Sequence, residues 1–300
     1  MQISAGILAV AKPEGVTSRD AVNVVQRLVR PTKVGHAGTL DPLATGVLVI
    51  CLGGATRLVP WIQDGRKHYI ATFRLGVTSD TDDITGTVSP GSDPSRITRD
   101  EVIAALQHFT GRYEQVPPQY SAVHVHGQRA YDLARQGVVS ELAAKTVDVE
   151  AITLTVWNPP DFTVEILCGS GTYVRSIGRD VGHHLGCGAL MTTLERRAVG
   201  PFSLDRCVTL DGLNVELITQ HLQPPRDAIA HLPPVQLTVE EMQKLRQGQR
   251  CLCAPSITTA TGQDYAALDE NGDLIGVITP TDDQPPRWTS RIILPFSSAK

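Results

Sequence analysis

Apolar residues fall along this chain in two spacings, one fitting strands and one fitting helices. Gly6 to Ala11 is a short apolar run of strand length that ends at Lys12-Pro13. Ser18 is placed to cap a helix running to about Arg30, with Val22, Val25, Leu28 and Val29 on one stripe and Pro31 as its stop. Val47-Leu-Val-Ile-Cys-Leu52 is continuously apolar, the pattern of a buried strand. His68 to Leu75 predicts a strand with Tyr69, Ala71, Phe73 and Leu75 in alternation. Thr98-Arg-Asp-Glu101 is a capping box opening a helix to about Phe109. Val147, Val149, Ile152, Leu154 and Val156 predict a strand, as does Phe162 to Cys168. Gly169-Ser-Gly171 then turns the chain into a helix from Thr172 to Leu185. Strands and helices mix without a regular βα repeat, so the predicted class is α+β rather than a doubly wound sheet.

Proline pairs at 224–225 and 233–234 bracket a predicted linker. Beyond it, short apolar runs alternate with turn signals such as Glu270-Asn-Gly272, the pattern of a small β-barrel or sandwich with a core of its own. The predicted division is therefore residues 1–232 and 233–300.

Composition narrows the class. With 41% hydrophobic and 19% charged residues, the chain reads as an ordinary globular protein. The longest uncharged stretch, Pro42 to Thr56, is too short and too rich in glycine and threonine to cross a bilayer. No basic leader precedes the first apolar run, so a signal peptide is not expected and a cytoplasmic location is. The six cysteines show no C-x-x-C pair and no zinc-ligand spacing, which predicts reduced thiols and no metal. Net charge is −4 but uneven: residues 1–78 carry nine Lys or Arg against four Asp or Glu, and the rest are acidic. A locally positive surface near the N-terminus is compatible with a phosphate backbone.

Candidate chemistry concentrates in Gly35-His-Ala-Gly-Thr-Leu-Asp-Pro-Leu-Ala-Thr-Gly46. Asp41 is the only acid between Asp20 and Asp64, and it precedes a proline that restricts its backbone. The segment reads either as a turn with a capping aspartate or as a glycine-hinged loop delivering one carboxylate to the edge of a buried strand. Two other signals fail as metal sites. Asp80-Thr-Asp-Asp83 has Ile84 and Gly91 where a calcium loop needs ligands, which leaves an exposed acidic turn or a loop bordering a site. His183-His184 lacks the spacing of a zinc motif and reads as a helix-surface pair.

The 35–46 segment resembles the catalytic motif of the TruB family of tRNA pseudouridine synthases, and the resemblance extends beyond it. Lys12-Pro-Glu-Gly-Val-Thr-Ser18 is similar to that family's N-terminal motif, and Lys67-His-Tyr69 with Phe73-Arg-Leu-Gly76 to its tyrosine-bearing strand. Val116-Pro-Pro-Gln-Tyr-Ser-Ala122 and Gly127-Gln-Arg-Ala-Tyr131 resemble its RNA-loop contacts. Gly169-Ser-Gly-Thr-Tyr-Val-Arg175 and Leu185-Gly-Cys-Gly-Ala189 resemble the second half of its site. The motifs run in family order over residues 6 to about 205, and the C-terminal section more weakly resembles a PUA RNA-binding barrel. Ala11 stands where Asn or Asp is common in the family, and His124 where a lysine is.

The resemblance implies a largely antiparallel mixed sheet with flanking helices, no cofactor, and isomerisation of uridine 55 in the T-loop of tRNA. It makes Asp41 the catalytic carboxylate, Arg175 its two-pronged partner and Tyr69 the residue stacked on the target base. Tyr173 and Leu194 would line the uracil pocket, His36 would fill the space left by the extruded nucleotide, and Lys12 would support loop or phosphate contacts. One carboxylate suffices because the leaving base never leaves, unlike hydrolysis with its acid–base pair. The expected protein is a monomer that needs no protein partner. The rivals are a catalytic subunit of an RNA-guided pseudouridylation particle, whose members usually carry extra terminal segments, and a non-catalytic tRNA-binding or RNA-folding protein. A hydrolytic glycosidase is remote for want of a second carboxylate.

Overall fold

The computed structural model describes residues 3–121, 123–125, 128–135, 137–138, 141–253 and 262–295. Ala122 and Gly127 of the motifs quoted above, and the side chain of His124, lie outside that description. The strands in chain order are β1 (Ala5–Lys12), β2 (Val34–His36), β3 (Thr45–Gly53), β4 (Lys67–Leu75), β5 (Val77–Ser79), β6 (Val88–Pro90), β7 (Gly111–Gln115), β8 (His124–Val125), β9 (Gln128–Arg129), β10 (Lys145–Asn158), β11 (Asp161–Cys168), β12 (Ala189–Val199), β13 (Phe202–Ser203) and β14 (Val208–Thr209). Between them lie α1 (Ser18–Leu28), α2 (Val59–Asp64), α3 (Arg99–His108), α4 (Ala130–Arg135) and α5 (Val174–His184).

One ten-stranded sheet organises this part, in the order β14-β1-β3-β12-β4-β11-β10-β7, with β2 on β3 and β13 on β12. The β1–β14 and β3–β12 pairings are parallel and the others in this sheet antiparallel. On one face, Val22 and Val25 of α1, Val102 and Leu106 of α3, and Ile177 and Val181 of α5 pack against Leu48, Ile50, Phe73 and Val164 of the sheet. A second apolar layer, with Ile62 of α2, covers Val47, Val49 and Cys51 on the other side of β3. Burial on both faces explains why that strand is apolar without alternation.

Capping boxes start α1 at Thr17, one residue before the predicted cap Ser18, which turns inward to Leu40, and α3 at Thr98; in each the threonine hydroxyl accepts from the amide three residues ahead and the acid returns to the cap amide. The first helix ends earlier than its periodicity predicts, at Leu28 with Val29 as cap. Gly178 lets α5 approach β4: a Cβ there would sit 2.3 Å from Cδ1 of Phe73. Close contact of this kind holds Arg175, one turn earlier, at the level of the sheet's centre.

The C-terminal part is a second sheet of five strands, β15 (Pro234–Gln236), β16 (Cys251–Leu252), β17 (Tyr265–Leu268), β18 (Leu274–Pro280) and β19 (Arg287–Ile293), in the order β15-β17-β18-β19-β16. It is a curled half-barrel consistent with a PUA-like domain; among the described residues the strand path stays open. Val235, Leu237, Leu245, Ile278 and Trp288 form its own core. Its opposite face shares a core with the first sheet, because Ala266, Leu268 and Val277 pack in the layer that holds Ile7 and Val49. The predicted linker is part of this contact: Ala228 and Ile229 are buried in it. Arg57 Nη1 donating to Ile293 O at 2.8 Å and Trp61 Nε1 to Asp264 Oδ2 at 2.8 Å add polar ties between the two units.

Candidate active site

Asp41 lies on the loop between β2 and β3. Pro42 behind it accepts a bond at 2.8 Å from the Gly15 amide through its carbonyl, and Asp41 itself closes a turn by accepting from the Ala44 amide at 3.0 Å. At the other side of the loop the buried Ser18 hydroxyl brackets Leu40, accepting from its amide at 2.8 Å and donating to its carbonyl at 3.0 Å. The loop is thus fixed on both sides of the acid by the start of α1 and its approach.

Arg175, the second residue of α5, forms an ion pair with Asp41, its Nε lying 2.9 Å from Oδ2. The Asp41 side chain is 35% exposed and the Arg175 side chain 7% exposed. The guanidinium is therefore sealed in, whereas the carboxylate it holds stays open to a ligand. The contact is a single ion pair, not the two-pronged clasp expected from the sequence, and the two terminal nitrogens bond elsewhere. Nη1 donates to Thr81 O at 2.8 Å and Nη2 to Tyr120 O at 3.0 Å.

A second carboxylate stands on the far side of the same guanidinium, with Asp83 Oδ2 3.7 Å from Arg175 Nη1. The expectation of a solitary acid needs that correction. Asp83 is 4% exposed, and Oδ1 accepts from Thr81 Oγ1 at 2.8 Å, the Thr85 amide at 2.9 Å and Thr85 Oγ1 at 2.5 Å. With Oδ1 taking all three donors, this buried carboxylate balances the arginine's charge from Oδ2. The Asp80–Asp83 segment is thus a loop bordering the site. Arg179, one turn further along α5, ties it down by donating to Asp82 Oδ2 and to Val116 O, each at 2.8 Å.

Tyr69 on β4 is 8% exposed, and burial raises its hydroxyl pKa against the opposing pull of Arg196. Leu194 on β12, also 8% exposed, faces Ala71 in register two residues along β4 from Tyr69. Tyr173 precedes α5 and is held by Gln115 at the end of β7: the Tyr173 amide donates to Oε1 at 2.8 Å, and Nε2 donates back to the Tyr173 carbonyl at 3.1 Å. Burial also raises the Tyr173 hydroxyl pKa. His36 ends β2, opposite Ile50. Its pKa is lowered by burial and then by Arg19 and Arg196, so the ring is neutral near pH 7 and positioned beside the loop rather than poised as an acid.

Lys12 supports the loop. It is 1% exposed, and Nζ donates to Pro13 O at 2.8 Å, Val16 O at 2.7 Å and Pro42 O at 3.4 Å. Three protons are spent on three carbonyls, which leaves none for a phosphate. Burial drives its pKa down to about 8, with nearby Asp41 pulling the other way. His183 and His184 are both exposed on α5, as their spacing predicts.

Asp83 is legible in the sequence only as part of an acidic turn or bordering loop, and two residues of this arrangement escape a sequence reading: Gln115 and Arg196. The last is 2% exposed on β12, within a Glu-Arg-Arg run whose neighbours face solvent and pair with each other at 2.8 Å. Only the alternation of the strand distinguishes it, and that cue needs the strand to be identified first.

Comparison with known proteins places the chain in a family. Residues 26–174 match the model of the TruB family pseudouridylate synthase N-terminal domain, and residues 175–240 that of the tRNA pseudouridylate synthase B C-terminal domain. The chain is 42% identical over 253 residues to tRNA pseudouridine synthase B of Synechocystis sp., covering 82% of this chain and 85% of that one. It is 40% identical over 291 residues to tRNA pseudouridine synthase B of Ruegeria pomeroyi, covering 95% and 96%. Among solved structures, a Cbf5-Nop10-Gar1 complex aligns with a TM-score of 0.72 at 26% identity over 91% of this chain and 78% of that one. An acid on a short loop, clasped by a buried arginine from a later helix across a mixed sheet, is thus set in a chain that belongs to the TruB family of pseudouridylate synthases.

Proposed function

We propose that this protein isomerises uridine to pseudouridine in tRNA, at uridine 55 of the T-arm loop, without a cofactor. In that reaction the N1–C1′ bond breaks, the uracil turns, C5 joins C1′, the C5 proton is lost and N1 gains one. The observation that carries the reading is the Asp41–Arg175 pair, a carboxylate 2.9 Å from a sealed guanidinium yet itself 35% exposed. Asp41 acts at the sugar, as nucleophile at C1′ or as base at C2′. Tyr69 stacks on the extruded base, and Leu194 and Tyr173 bound its apolar surroundings. Extrusion costs a few kcal/mol of stacking, recovered through these contacts and those to phosphates. The names of the related synthases support tRNA as the substrate.

The protein acts in the cytoplasm as a monomer and needs no protein partner. The solved neighbour with Nop10 and Gar1 names the rival, a subunit of a larger particle. One assay separates the two: purified protein is mixed with a tRNA transcript labelled with tritium at uridine C5, and tritium release is followed. Release from naked tRNA, mapped to position 55 and abolished in Asp41→Asn while that variant still binds tRNA, is the expected result. Normal turnover by Asp41→Asn refutes the assignment, and release only after other proteins are added favours the rival.

A further inference from the structure

Arg196 is a buried cation without a buried anion beside it. Among the described residues no carboxylate lies within ion-pair distance of its guanidinium. Its partners are backbone carbonyls: Nε donates to Val47 O at 2.8 Å, Nη2 to Gly38 O at 3.2 Å and Nη1 to Thr39 O at 3.4 Å. A charge held only by dipoles in a core is costly, and an apolar side chain would fill the place at less expense.

The position of those carbonyls indicates what the charge does. Gly38 and Thr39 lie just before Asp41 on the loop, and Val47 lies just after it on β3. One guanidinium therefore grips the Asp41 loop on both flanks. Its strand stands between the two elements that carry the site: Arg196 is in register with Gly46 of β3 on one side and with Tyr69 of β4 on the other. That register sets the Arg196 charge near the Tyr69 ring, where it opposes the burial-driven rise of the phenol's pKa.

We propose that Arg196 is a positioning residue of the reaction, joining the carbonyls that flank Asp41 and the hydroxyl of Tyr69 into one frame that sets the acid against the base-stacking ring. The proposal rests on the roles given above to Asp41 and Tyr69. Its charge has a second effect in the same place: it disfavours protonation of Lys12 and His36 and opposes the burial-driven rise at Tyr69.

The test uses full-length Arg196→Met and Arg196→Lys, each alone and combined with Tyr69→Phe. Binding of tRNA is measured by filter retention, and the chemical step by single-turnover tritium release. Arg196→Met is expected to bind tRNA within about 3-fold of wild type while its single-turnover rate falls by about 30-fold or more. Arg196→Lys, which keeps the charge but not the fork, is expected to recover part of that loss. In the Tyr69→Phe background the further loss from Arg196→Met is expected to shrink below about 10-fold, because the hydroxyl link is already gone. A folded Arg196→Met with a rate within about 3-fold of wild type, or with binding lost in proportion to rate, overturns the proposal. Losses that multiply in full in the double variant overturn the link to Tyr69. Should Arg196→Met fail to fold, Arg196→Lys decides alone: an unchanged rate with unchanged binding overturns the proposal. Failure of the underlying reading has a different signature, since Asp41→Asn would then release tritium normally.

Discussion

Lys12 is the group whose pH dependence the structure fixes most sharply. Its amine is buried, its three protons are shared among the carbonyls of Pro13, Val16 and Pro42, and its pKa is lowered from the ordinary 10.5 to about 8. Between those two values the unfolded chain holds a proton on this amine that the folded protein has released. Stability conferred by Lys12 therefore rises with pH across that window, and its charged-state penalty is fully present below about pH 8. At about 1.4 kcal/mol per pH unit, going from pH 8 to 9.5 relieves about 2 kcal/mol. Other groups move oppositely in alkali: the thiols of Cys51 and Cys207 are raised to about 12 by burial, so the folded state keeps protons there that the unfolded chain loses. The measurement is accordingly a difference. Urea unfolding of wild type and Lys12→Met is followed by tryptophan fluorescence at intervals from pH 7 to 9.5. With an m-value of about 3 kcal/mol/M, the wild-type midpoint should gain about 0.7 M on the variant over the upper half of that range. Parallel midpoint curves for the two proteins would refute the burial argument, whatever the constant offset from the lost hydrogen bonds.

Gly46 has φ of +102°, and a Cβ there would lie 2.2 Å from the Arg196 carbonyl oxygen. Gly46→Ala should lose about 3 kcal/mol or more of stability, read as a fall in Tm, because neither the backbone conformation nor a backbone neighbour can give way. Arg175→Lys keeps the charge but cannot serve Asp41, Thr81 and Tyr120 together, so kcat for tritium release should fall about 100-fold with Kd for tRNA little changed. Asp83→Asn places an amide NH2 among the donors of Thr81 and Thr85 and removes the charge 3.7 Å from Arg175. It should cost about 3 kcal/mol of stability by urea titration and slow turnover as well.

How far the sequence reveals this molecule is best judged on β12. The strands at 5–12, 45–53 and 67–75 and the helices α1 and α3 are legible because apolar spacing and, at Thr98, capping chemistry act locally, though the cap of α1 falls at Thr17 rather than Ser18. The strand β12 occupies the centre of the sheet, yet its Leu-Glu-Arg-Arg run hides it. Register shifts between Met191 and Thr193 and between Arg196 and Ala198 break the period of two, and one of its inward side chains is the arginine. The short α2 and the strand β7 give too few periodic residues to register. At the site, Asp41 and Arg175 stand out through motif resemblance. Asp83 and Gln115 do not, since their partners lie at Thr85, Arg175 and Tyr173, and only the fold brings the distant ones close.

The Arg175 guanidinium gathers Asp41 from the loop after β2, Thr81 and Asp83 from the loop after β5, and Tyr120 from the segment after β7; the carbonyls of Thr81 and Tyr120 are 94 and 55 residues away in sequence. During synthesis, then, a nascent chain lacking α5 would display the acid on its tethered loop without the guanidinium that pairs with it. Catalytic competence would arrive in one late step, when that helix docks and closes several long loops together. Incomplete products of translation would accordingly be silent on RNA, and the onset of turnover would report completed folding of the first sheet.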